Sequence, residues 1–176
     1  MSLSVLLTSM PKYEAKDLVL TDFHDAIRKR AYMYVRSPRD PIDAIIEGII
    51  AAIKSFSILE FSIKNRDDFI CIEAKDDWLQ PNENFDSVDM AFQKLAPLEG
   101  HLNRVRTEVF LQAFYFDFFT SGMAGTYGDG QVARHFFAEN YSNSIESMGR
   151  VLIVSKIQNL PEDHQICFEG SPIVKR

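Results

Sequence analysis

Between Pro41 and Ser55 apolar residues recur at helical spacing: Ile42, Ile45, Ile46, Ile49, Ile50 and Ile53, with Phe56 just beyond. A stripe of that kind predicts an amphipathic helix. Asp40 at the cap position and Pro41 in the first turn mark its start. Ala44, Gly48, Ala51, Ala52 and Ser55 lie off the stripe, where another part of the chain can approach closely, and Asp43, Glu47 and Lys54 take the polar flank. The period then changes. Ile58 to Lys64 and Asp68 to Ala74 alternate, and Asn65-Arg66-Asp67 between them predicts a hairpin turn. Upstream, Thr21 and Asp22 cap a short helix over residues 22–30. Residues 1–20 contain Pro11, lack a strong period and read as an arm or an edge strand.

Downstream, residues 75–84 are polar apart from Trp78 and Leu79. A helix is expected over 86–95, stopped by Pro97, and another over 101–119. The second carries Phe110, Phe114, Tyr115, Phe116, Phe118 and Phe119, which suits a core element or a partner surface. The glycine-rich stretch 121–130 breaks that pattern. A helix over 131–140 follows, then strands over 151–157 and 164–169 joined by a turn at 159–163. Helices grouped against a mainly antiparallel sheet predict an α+β, two-layer sandwich with helices on one face, in a single domain over 21–176.

Composition narrows the function classes. The 176 residues are 46% hydrophobic and 25% charged, as expected of one globular domain. Lys and Arg total 19 against 25 Asp and Glu, so the net charge of −6 argues against general nucleic-acid binding. The one basic cluster, Arg28-Lys29-Arg30 with Arg36 and Arg39 nearby, is either a solvated helix end or an anion site. Cys71 and Cys167 sit in apolar alternating runs and read as buried free thiols of a reducing, cytoplasmic setting. No apolar run approaches the length of a membrane span, and the apolar N-terminal stretch has no basic flank, so neither a membrane helix nor a signal peptide is expected. His24, His101, His135 and His164 are scattered without metal-ligand spacing.

One motif order points to an ancestry. Ala26-Ile27-Arg28-Lys29-Arg30-Ala31-Tyr32-Met33-Tyr34-Val35 resembles the segment that opens the ATPase domain of DNA gyrase B subunits, which reads roughly RKRPGMYIG. The family follows it with a helix carrying E-x-x-x-N. Here Glu47 stands at the position of the general base and Ala51 at that of the magnesium-holding Asn. The family's hairpin leads to D-x-G-x-G, whose Asp binds adenine. Phe69–Glu73 matches the strand, Ala74 falls at the Asp position, a two-residue slip recruits Asp76, and neither glycine is present. Gly125-Thr126-Tyr127-Gly128-Asp129-Gly130 keeps the G-x-x-G-x-G spacing of a phosphate loop in front of a helix.

Over residues 20–170 the chain therefore resembles a degenerate gyrase-type (GHKL) ATP-binding domain of the Bergerat fold. The resemblance implies Glu47 as base and Gly125, Gly128, Gly130 and Asp76 as nucleotide contacts, with ATP and magnesium as the ligands. The missing Asn and the missing adenine platform predict instead a non-catalytic binding or regulatory module whose partner is another protein. The alternatives are an ATPase with displaced ligands and a small immunity-type interaction protein of unrelated fold.

Overall fold

The computed structural model describes residues 22–30, 33–35, 40–58, 60–142 and 149–161. Its helices are α1 (Phe23–Lys29), α2 (Ile42–Ser55), α3 (Met90–Gln93), α4 (Glu108–Ala113) and α5 (Gln131–Tyr141). Its strands are β1 (Phe61–Arg66), β2 (Phe69–Ala74), β3 (Pro97–Leu98), β4 (His101–Val105), β5 (Phe116–Gly122), β6 (Gly125–Tyr127) and β7 (Arg150–Gln158). Five of these form one antiparallel sheet in the order β1-β2-β7-β5-β6, and β3 and β4 make a separate hairpin.

The run Val151-Leu152-Ile153-Val154 is apolar at every position because both faces of β7 are covered. Leu152 and Val154 join Ile70 and Ile72 of β2 and Phe116 and Phe118 of β5 in one core. The isoleucine stripe of α2 and the buried residues of α1, α3 and α4 fill that core from above. Val151 and Ile153 join Cys71 and Phe119 on the other face, against Ala133, Phe137 and Tyr141 of α5. The α+β class stands, but the expected two-layer arrangement is corrected: α5 gives the sheet a second cover. Strands buried on both faces show no alternation, so the second layer left no period to read.

Other expectations shift for local reasons. The hairpin turn falls at Asp67-Asp68 rather than 65–67, because Asp67 takes a left-handed conformation with φ +51. The aromatic stretch 101–119 is helical only over Glu108–Ala113. Tyr115, at φ +60, ends that helix, and Phe116, Phe118 and Phe119 then point to alternate faces as strand residues do. The helix expected over 86–95 shrinks to Met90–Gln93. Asp22 caps α1 by accepting from the Asp25 amide at 3.1 Å. Pro41, not Asp40, occupies the cap position of α2. Residues 1–20, Arg36, Arg39, Cys167 and the strand expected over 164–169 lie outside the described residues.

The small-residue face of α2 does admit a close neighbour. A Cβ on Gly48 would collide with the Thr107 side chain, whose hydroxyl donates to Ile45 O at 2.8 Å. Two buried ion pairs tie the loops to this frame. Arg106 lies over the rings of both Phe56 and Phe85 and donates to Glu108 at 2.6 Å and Glu99 at 3.1 Å. Arg150 grips Asp77 with two nitrogens, Nη2 at 2.8 Å, and both side chains are fully buried.

Candidate functional site

The start of α5 is built around one carboxylate. The β5–β7 ladder slips between Phe116 and Phe118, and a bulge of this kind re-aims the residue it displaces. That residue is Asp117, 6% exposed. Its Oδ1 accepts from the Ala133 amide at 2.7 Å and its Oδ2 from the Val132 amide at 3.2 Å. Gly130 has no side chain to cap the helix, so a neighbouring strand supplies the anion that a helix N-terminus attracts.

The glycine spacing has a packing origin. A Cβ on Gly130 would fall on Asp117 Oδ1 and Phe118 N. Gly128, at φ +113, lies so close to β5 that a Cβ would strike Phe118 O. Gly125 stands in the β5–β6 turn opposite Gly122. The loop's carbonyls also bind within the protein: Gly125 O accepts from Arg150 at 3.2 Å and Gly128 O from Arg134 at 2.9 Å.

A cleft of about 640 Å³ opens at this point between α1, the end of α4, the Asp117 bulge and the first turn of α5. Arg28 lines it from α1. Its Nη1 donates to Ala113 O at 2.9 Å, and its guanidinium sits 4.5 Å above the Tyr115 ring. Asp129, Gly130 and Gln131 line it from the other side. Arg28 of the basic cluster and the Asp129-Gly130 end of the glycine loop, far apart in sequence, thus meet at one cleft. Lys29 is turned to Asp25 at 3.0 Å, and that hydrogen bond holds the Asp25 carboxyl below its ordinary range. His24 also lines the cleft, with Nε2 3.4 Å from Phe92 O.

Glu47 lies elsewhere. It is exposed on the rim of a second cleft of about 550 Å³, floored by Ala44, Gly48 and Ala51 and walled by Tyr34, Arg104 and Val105. Gly125, Gly128, Gly130 and Asp76 are not among the residues that line it. The side chain of Asp76 is exposed, and its backbone is pressed against Gly149, where a Cβ would have no room. Its neighbour Asp77 is the buried carboxylate of that segment. His135 pairs with Glu139 one helical turn along, at 3.1 Å. Among the described residues no three His, Cys, Asp or Glu side chains gather as metal ligands.

Asp117, Asp77 and Arg150 carry the polar architecture, and sequence reasoning passed over all three. A signal was there: a single charge inside an apolar run, as in Phe116-Asp117-Phe118 or Arg150-Val151-Leu152, marks a buried and partnered group. No protein-family model, curated protein sequence or solved structure matches the chain.

Proposed function

We propose that this protein is a non-catalytic binding or regulatory module, on a scaffold related to the gyrase-type (GHKL) Bergerat fold, and that its partner is another protein. The carrying observation is the carboxylate of Asp117 on the first amides of α5. A phosphate at those amides would have to displace a buried carboxylate of its own sign. Hydrolysis also needs a metal-bridged triphosphate beside an activated water. Ala51 offers no oxygen to a metal, and Glu47 and the glycine loop border different clefts.

The order of elements supports the ancestry: the Glu47 helix, a hairpin, the glycine turn, α5, then β7. The position of α5 on the second face of the sheet departs from a two-layer ancestor. The partner reading draws on exposed apolar side chains near the larger cleft: Val132, 56% exposed, lines it, and Leu160, 45% exposed, follows the lining residue Asn159.

Calorimetric titration with Mg-ATP and Mg-ADP tests the reading, and no binding heat is expected from either. Millimolar ATP should leave the melting temperature unchanged, since a ligand at 100 times its Kd would add about 2.7 kcal/mol. Mg-dependent ATP hydrolysis that disappears in Glu47→Ala would overturn the proposal and restore the enzyme reading.

A further inference from the structure

We propose that the cleft between α1 and the start of α5 binds a small zwitterion of dipeptide size, with its carboxylate on Arg28 and its ammonium group on Asp129. This rests on the reading of the chain as a non-catalytic binding module and names the ligand class of that cleft. The volume of about 640 Å³ falls within the range of roughly 300–1,000 Å³ that small-molecule sites occupy.

The charged groups that line the cleft, Arg28 with Asp22, Asp117 and Asp129, select the ligand. On the α1 wall the Arg28 side chain is 12% exposed, with its plane fixed by Ala113 O and the Tyr115 ring. Its contact with Asp25 is long, 3.5 Å, and Asp25 is held more closely by Lys29 at 3.0 Å. The guanidinium therefore keeps donors for a carboxylate, which a planar fork meets at two points.

On the α5 wall Asp129 is exposed at the lip. Asp117 is already committed to the Val132 and Ala133 amides. Asp22, which lines the cleft at the start of α1, is spent on the Asp25 amide. A ligand of purely negative charge would meet Asp129, Asp117 and Asp22, and one of purely positive charge would meet Arg28. A ligand with both signs can set its carboxylate on Arg28 and its ammonium group on Asp129, and a polyphosphate has no group for the carboxylates. Gln112, Gln131 and Asn159 also line the cleft and offer the uncharged donors and acceptors that a peptide group uses.

The test is an NMR titration of the full chain, reading the amide signals of Gly130, Gln131 and Val132. The probes are L-alanyl-L-alanine, its N-acetyl form without the ammonium group and its C-terminal amide without the carboxylate. The dipeptide should give saturable shifts, with about tenfold weaker binding for either blocked form. Asp129→Asn should weaken the dipeptide about tenfold and leave the N-acetyl form unchanged. Arg28→Gln should weaken the dipeptide likewise and leave the amide form unchanged. Because Arg28 also bonds Ala113 O, the exposed Asp129→Asn change keeps the test decisive where Arg28→Gln fails to fold. Equal affinity for the three probes, or no saturable shift with the dipeptide, would overturn the proposal. Either result leaves the non-catalytic reading standing, since that reading is tested by nucleotide titration and Glu47-dependent ATP hydrolysis and not by dipeptide binding.

Discussion

Replacing Asp77 by Ala should be among the most damaging single changes in this protein, and the structure sets its size. Asp77 and Arg150 are both fully buried. Arg150 donates to Asp77 through two nitrogens, to Thr120 Oγ1 at 3.0 Å and to Gly125 O at 3.2 Å. Asp77 also accepts from the Leu79 amide at 2.9 Å and the Ala124 amide at 2.8 Å. Asp77→Ala leaves a buried guanidinium with two neutral acceptors and two amides without partners. Breaking one side of a buried pair costs about 3–5 kcal/mol. For a chain of this length each kcal/mol lowers Tm by roughly 2–4 °C, so a fall on the order of 6–20 °C is expected. The assay is thermal unfolding of the two single variants and of Asp77→Ala combined with Arg150→Met. The double variant has no buried charge left to strand, and it should melt above Asp77→Ala, with a coupling energy well beyond the error of additivity. A fall below about 2 °C for Asp77→Ala, or simple additivity in the double variant, would refute the claim that this pair clamps the β2 end, the β5–β6 turn and the start of β7 together.

Four further outcomes follow from the packing. Ile49→Ala, at a fully buried position of α2, should cost about 2–5 kcal/mol in denaturant unfolding, and Lys54→Ala, on the exposed flank, far less. Gly48→Ala should lower Tm although Ala is the better helix former, because the added Cβ meets Thr107. Cys71 is buried and its thiol pKa is raised by desolvation, so a thiol reagent should label it only on unfolding. Burial by itself would raise the Glu73 carboxyl, but hydrogen bonds from Lys64, Tyr141 and Ser62 hold it below its ordinary value. Because the folded value is depressed, its stabilising contribution is full above the unfolded carboxylate range near pH 4.5 and is lost as pH falls through the folded value. The Tm gap between the natural protein and Glu73→Gln should therefore be constant at neutral pH and narrow below about pH 4.

By itself the sequence determined the elements with a strong period or a bounded apolar run. The α2 stripe is the clearest, and α2 runs over Ile42–Ser55 as its isoleucines require; the β1–β2 hairpin, α5 and β7 are legible from the turn residues and apolar runs that mark them. It also determined the chemistry absent from the motif positions: Ala51 and Ala74 have no side-chain oxygen in any fold.

Tertiary structure decided the rest. Phe116–Phe119 has helical and strand readings of equal local merit, and only burial between two layers, with Tyr115 held at positive φ, made it a strand. The glycines at 125, 128 and 130 carry the spacing of a phosphate loop, yet the latter two answer to the approach of β5 and the first lies in the turn that follows it. Arg28 and Asp129 stand about a hundred residues apart, and their meeting at one cleft depends on how α1 docks on α4 and α5 on β5. A carboxylate at a helix N-terminus satisfies the same amides that a phosphate would, and the sequence alone does not say which of the two stands there; the bulge at Asp117 does.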